Sequence, residues 1–201
     1  MEILEELYER YPQLKVCEGE IARACDVLLA CYGNGGQVLT CGNGGSAADA
    51  EHIVGELLKK FKKHRAVSRD VVEKLPPELA AKLEGALPAV SLVSMSGILT
   101  AFANDVAWET AFAQQVLGLG RPGDVLIALS TSGNSANCVN AALVAKAKGL
   151  KVISLTGAGG GRLAALADAA VKVPETETYK IQELHLPVYH AFCAQVEAAL
   201  F

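Results

Sequence analysis

The sequence predicts an α/β protein in which a central five-stranded parallel sheet carries helices on both faces. Three observations lead there. Five short segments are apolar along their whole length, as strands buried on both faces must be, and helical stretches separate them. Two of the segments run straight into Gly-rich or Ser/Thr-rich loops that open a helix, the place where open parallel sheets bind ligands. A chain of 201 residues, 51% apolar and 20% charged, fills one core rather than two, so residues 1–201 form a single domain.

The elements follow in order. Ile3, Leu4, Leu7 and Tyr11 have helical spacing, stopped at Pro12. A second amphipathic helix spans about 17–32 and ends at Gly33-Asn34-Gly35-Gly36. Residues 1–33 thus read as a helical appendage used in oligomerisation, its apolar faces packed on a partner subunit. The strand at 37–41 enters the loop Gly42-Asn43-Gly44-Gly45-Ser46, and a helix follows to about Phe61. Residues 61–89 break the alternation: charged residues, Pro76-Pro77 and one short amphipathic helix at 78–83 form an excursion, either a lid or a passive insertion. The strand at 89–94 leads into helical sequence through Gln115. The strand at 124–129 feeds the loop at 130–135 and a helix to about Lys148. The strand at 151–155 leads to a Gly-rich loop at 156–161, and the strand at 170–173 precedes a helix from about Tyr179 to the C-terminus.

Composition excludes several functions. A net charge of −4 without a basic, aromatic-interleaved stripe argues against nucleic acid as a partner. The basic cluster at 59–65 reads as a solvated helix end or a charged rim that attracts anions. Six cysteines with no CxxC pair behave as small buried hydrophobes in a reducing compartment. With an acidic N-terminus and no apolar run of membrane length, the expected location is the cytoplasm.

Four hydroxyls in six residues, Ser130-Thr131-Ser132-Gly133-Asn134-Ser135, meet the free N–H groups and positive dipole end of a helix, a combination suited to a phosphate dianion. An ST-turn with an N-cap is the alternative and needs only one or two of the hydroxyls. Residues 42–47 also satisfy G-x-G-x-x-A, but the next strand offers no ribose-binding acid, so no nucleotide cofactor is expected. Instead, Asn43 and Ser46 suit a small polyhydroxylated ligand. His52 and Glu56, four apart on the following helix, share one face, as metal ligands, acid/base pairs and ordinary surface pairs all do. His185 and His190 lie on the last helix, and either one alone reads better as a core histidine. Asn104-Asp105 forms a polar pair between helical stretches or simply stops a helix.

At this point the motifs carry a resemblance. Residues 41–52, then Glu56, Asn104-Asp105, residues 130–137, and Gln182-Glu183-Leu184-His185 with His190 are similar, in that order, to the phosphoheptose isomerases of the sugar isomerase (SIS) domain superfamily. The resemblance implies a flavodoxin-like three-layer sandwich. It also implies an aldose–ketose isomerase that converts sedoheptulose 7-phosphate to D-glycero-D-manno-heptose 7-phosphate through an enediol(ate). By the same carry-over, Glu56 and His190 are catalytic. Asn43, Gly44, Gly45, Ser46, Asn104, Asp105, Ser130, Thr131, Ser132, Ser135 and Gln182 contact substrate. His52, Glu56, Gln182 and His190 hold zinc, with Gln an unusual ligand. The carboxyl of Glu56 is expected to have a raised pKa. A homotetramer with sites drawing on neighbouring subunits is also implied. The chain departs from the family in a long segment at 62–88 and in Pro187, which removes a helical hydrogen bond to Glu183. Two non-catalytic alternatives share the scaffold: a SIS protein that binds the replication initiator, and a sugar-phosphate-sensing module. Retention of Glu56 and His190 favours the enzyme.

Overall fold

The computed structural model describes residues 2–201; Met1 lies outside them. The elements are α1 (Glu2–Arg10), a 3-10 turn (Pro12–Cys17), α2 (Glu18–Gly33), β1 (Val38–Cys41), α3 (Gly45–Leu58), α4 (Arg69–Val72), α5 (Pro77–Ala80), β2 (Ala89–Ser91) and α6 (Ser96–Asp105). A second 3-10 turn (Trp108–Thr110), α7 (Ala111–Leu119), β3 (Val125–Leu129), α8 (Ala136–Ala147), β4 (Lys151–Thr156), α9 (Gly161–Leu166), β5 (Ala169–Lys172) and α10 (Thr178–Leu200) complete the chain. The strands form one all-parallel sheet in the order β2-β1-β3-β4-β5. That is the flavodoxin-like order, and the expected three-layer α/β sandwich is present.

Side chains alternate across the sheet and fill a core on each face. Val38, Val125, Ile127, Leu129, Ile153, Leu155 and Val171 point to one side, against α2, α3 and α10. Leu39, Cys41, Leu126, Ala128 and Val152 point to the other, against α6, α7, α8 and α9. The uniformly apolar strands of the sequence are explained by this two-sided burial. All six cysteines are free and buried.

Three expectations need correction. The second N-terminal helix is not an appendage: Leu14, Ile21, Ala24, Cys25 and Leu28 are buried in this chain's own core, and α2 packs on β5 and α10 as a full layer element. Amphipathicity alone cannot tell whether the partner of an apolar face is a neighbouring subunit or the chain's own sheet. The excursion after α3 carries two one-turn helices, α4 and α5, neither with a buried residue. Its ends are tied by Gly85 N–H to the Arg65 carbonyl (2.9 Å) and Leu87 N–H to the Leu57 carbonyl (3.0 Å). The strand expected at 89–94 stops at Ser91, because the chain turns before α6. Among the described residues no helix is long and apolar enough to cross a membrane.

Candidate active site

The strand order reverses between β1 and β3, so the loops leaving their carboxyl ends frame a switch-point crevice. Those loops are 42–46 and 130–135, and two hydrogen bonds join the first to the opening turn of α8, which follows the second. Asn43 Nδ2 donates to Asn137 Oδ1 (2.9 Å), and Asn137 Nδ2 returns the bond to Asn43 Oδ1 (2.8 Å). Asn137 was not singled out from the sequence. Only its place inside the matching stretch 130–137 hinted at it.

The hydroxyl loop is held in a tight turn. Ser130 and Ser135 share a hydrogen bond between their Oγ atoms (2.9 Å), and Gly133 N–H donates to the Ser130 carbonyl (2.9 Å). Gly133 has φ +67°, and a Cβ there would lie 1.9 Å from the Gly160 carbonyl oxygen, so only glycine fits. Ser130 is buried, Thr131 and Ser135 are half-buried and Ser132 is exposed, at the N-terminus of α8. Ser132 Oγ accepts the Asn134 N–H (3.2 Å), an ST-turn, while the Ser135 side chain does not cap α8.

Gly45 opens α3 and abuts Gln182 at the start of α10; a Cβ on Gly45 would fall 2.7 Å from the Gln182 amide nitrogen. Ser46 is buried at the same helix start. Farther along the two helices a second cluster forms. His52 Nε2 lies 3.3 Å from Glu56 Oε1 and 3.5 Å from His190 Nε2. Tyr189, fully buried, donates its hydroxyl to Asp49 Oδ1 (3.1 Å) and meets His52 Nδ1 at 3.0 Å. The two ring nitrogens of His52 thus face different partners, Nδ1 the Tyr189 oxygen and Nε2 the Glu56 carboxylate and His190. The Phe61 ring leans on His190 with centroids 5.3 Å apart. A cavity of about 490 Å³ between α1 and α10 has His190, Phe61, Lys62 and Arg10 on its wall. The helix α10 runs unbroken through Pro187, so the missing hydrogen bond does not interrupt the face that carries Gln182 and His190.

The electrostatics correct another expectation. Burial pushes the Glu56 carboxyl up, but the Lys59 ammonium at 2.8 Å and His52 more than cancel it, and the pKa ends below the usual value. Glu56 is therefore ionised at neutral pH, a base ready to take a proton, where the sequence suggested a raised pKa. His190 is pulled below its ordinary value by burial and by His52, which favours its neutral ring.

Asn104 and Asp105, the last residues of α6, are exposed, and Asn104 Nδ2 donates to Asp105 Oδ1 (2.8 Å). His185 is a core residue. It is fully buried, neither ring nitrogen makes a well-formed hydrogen bond, and burial lowers its pKa to about 4, offset in part by a weak polar contact with the Thr156 backbone. The folded protein therefore refuses a proton that the unfolded chain accepts below pH about 6.5. Stability is full above that pH and falls as pH drops toward 4, by roughly 3 kcal/mol in all. We expect His185→Leu to raise Tm at neutral pH and to flatten the decline between pH 6.5 and 4 in thermal unfolding; an unchanged slope would refute this.

Of the four expected zinc ligands, His52 lies against both Glu56 and His190, and Gln182 stands apart from them. Among the described residues no three His, Cys, Asp or Glu side chains are set to hold an ion. Gln182 sits at Gly45, about 12 Å along the α10 axis from His190 by helical rise.

The comparisons with known proteins bear on the family and the fold. Residues 10–157 match the SIS domain family. A phosphoheptose isomerase of Rhodospirillum rubrum is 45% identical over 184 residues, 92% of this chain and 88% of the relative. The chain belongs to the phosphoheptose isomerase family of SIS-domain proteins. Its members are isomerases, and this chain is an enzyme of that class. The solved phosphoheptose isomerases of Neisseria gonorrhoeae (35% identity, TM-score 0.77, covering 97% of this chain and 94% of that one) and Francisella tularensis (30% identity, TM-score 0.77, 97% and 96%) share its fold.

Proposed function

We propose that this enzyme interconverts sedoheptulose 7-phosphate and D-glycero-D-manno-heptose 7-phosphate. The observation that carries this reading is the convergence of Glu56 and His190, with His52 between them, at the facing sides of α3 and α10. A sugar-phosphate isomerase needs an anion cradle and a proton-transfer pair, and this chain has candidates for both. The 130–135 loop receives the phosphate. Glu56, ionised, removes the C1 proton of the ketose and leaves an enediolate; the O1 hydroxyl proton passes to O2 and the carbon-bound proton is returned at C2, which closes the C1 carbonyl of the aldose. His190, neutral near physiological pH, moves a proton at the ring oxygen during ring opening. Asn43, Ser46 and Gln182 would contact the sugar hydroxyls. The test is direct turnover of sedoheptulose 7-phosphate by the purified protein. Binding without turnover points to a sensing module, and binding of the replication initiator to the scaffold relative.

The reading includes a homotetramer in which two protomers complete each site. Eleven residues of α3 separate Gly45 from Glu56, about 16 Å of helical rise, longer than the carbon chain of a seven-carbon sugar. The phosphate loop of one protomer would then serve Glu56 and His190 of another, with Asn104 and Asp105, exposed here, also reaching across. Ser135→Glu places a carboxylate where the phosphate dianion would sit, and it should raise KM about 100-fold or more by like-charge repulsion. Co-expressed with Glu56→Gln, it should form mixed oligomers that regain activity neither variant shows alone. No regain would place each whole site within one protomer. Zinc enters none of these steps. It is proposed from the family resemblance alone, and metal analysis of the assembled protein decides whether His52, Glu56, Gln182 and His190 take it up.

A further inference from the structure

The segment after α3 contains a buried ion pair to which neither the fold nor the proton-transfer scheme assigns a part. Arg65 and Glu197 are 0% and 1% exposed, with Arg65 Nε donating to Glu197 Oε1 at 2.8 Å. The sequence suggested that 59–65 was a solvated helix end or a charged rim. In the structure α3 stops at Leu58, Lys59 is extended, and Arg65 turns inward.

Each partner also grips backbone. The Arg65 guanidinium donates through Nη1 to the Leu57 carbonyl (2.6 Å) and through Nη2 to the Glu56 carbonyl (3.1 Å). These carbonyls belong to the last turn of α3, which has no helical donors of its own, so Arg65 caps the helix with a positive charge at its negative pole. The Glu197 carboxylate accepts three consecutive N–H groups, from Phe61 (2.7 Å), Lys62 (2.7 Å) and Lys63 (2.8 Å). Successive N–H groups aimed at one anion form a nest, and here the anion is supplied by α10. Burial pushes Glu197 up, but those N–H groups and Arg65 outweigh it and hold its carboxyl below the usual range.

The clamp has two ends that matter. One fixes the backbone of Glu56. The other fixes Phe61, whose ring lies against His190, two turns before Glu197 on the same helix. We propose that Arg65 and Glu197 are positioning residues that set Glu56 on α3 and His190 on α10 at working distance from each other. The proposal rests on the isomerase reading. Neither residue touches substrate; both act through the backbone of 56–63 and through Phe61.

Glu197→Gln removes the charge and turns an amide N–H toward donors, while Arg65→Lys keeps the charge and loses the two-carbonyl grip. Both are expected to lower kcat about tenfold to a hundredfold with KM within about twofold of the unaltered protein. Val152→Ala, in the opposite core, serves as a control of comparable Tm loss and should keep its kcat. The second readout needs no activity: the His190 ring-proton resonance in histidine-labelled protein. Phe61→Leu defines the shift caused by losing the ring, and Glu197→Gln and Arg65→Lys should move the signal toward that value. A His190 signal unmoved in both variants, or a kcat loss matched by Val152→Ala, overturns the proposal. If the unaltered protein turns over no sugar phosphate, the isomerase reading fails while the His190 signal still decides the positioning role. If Glu197→Gln does not fold, Arg65→Lys carries both measurements.

Discussion

Glu56→Gln should lose about 10²- to 10⁴-fold in kcat on sedoheptulose 7-phosphate, the range expected when a general base is removed. The replacement is isosteric, so KM should change little: the hydroxyl loop at 130–135 and the Asn43–Asn137 bridge are untouched. The amide keeps an oxygen but cannot accept the C1 proton. Its NH₂ also meets the Lys59 ammonium, which the carboxylate holds at 2.8 Å in the native site. Proton exchange between solvent and C1 of the substrate should fall in parallel, because enediolate formation needs the same base. A variant with near-normal kcat would move the proton abstraction to another group, and His190 would be the first to test.

Glu197→Ala should destabilise the fold by about 3–5 kcal/mol, since it leaves the Arg65 charge buried without its partner. For a chain of this size that lowers Tm by roughly 6 to 20 °C. The double variant Arg65→Met/Glu197→Leu should recover the part due to the uncompensated charge. It should not recover all of it, because the three N–H groups of residues 61–63 lose their acceptor as well. Acid sharpens the test. The Glu197 carboxyl is held below the usual range, so its contribution is present above the unfolded carboxylate pKa and disappears as pH falls through the depressed folded value. Unfolding midpoints measured down the acid range should therefore fall less steeply in Glu197→Ala than in the native protein. Equal slopes would assign the acid sensitivity to other carboxylates.

Much of this protein was legible from local pattern. A fully apolar strand followed by a loop and a helix reports a parallel sheet because it depends on neighbours a few residues away. The Gly and Ser/Thr loops announce their own backbone geometry in the same way, as Gly133 shows with its positive φ. The pair His52 and Glu56 follows from helical periodicity, and ordered motifs tied Glu56 and His190 to one family. Tyr189 and Asp49 could have been suspected, since Asp49 shares the face of His52 and Glu56 and Tyr189 adjoins His190. Nothing local distinguished them from core residues.

By itself the sequence determined the α/β class, the Gly and Ser/Thr loops that follow two of its strands, and the identity of the proton-transfer candidates, because each is written in spacing of a few residues or in a contiguous motif. Only the tertiary structure decided that α2 belongs to the sandwich, that Gln182 stands at Gly45 apart from His190, and that Lys59 and His52 hold Glu56 in its ionised form. It also turned Arg65 from an apparent surface charge into half of a clamp with a residue 132 positions away. The physical reason is the same in each case. Burial and charge pairing depend on which distant segments the sheet brings together, and a carboxylate's pKa is a property of that assembled neighbourhood.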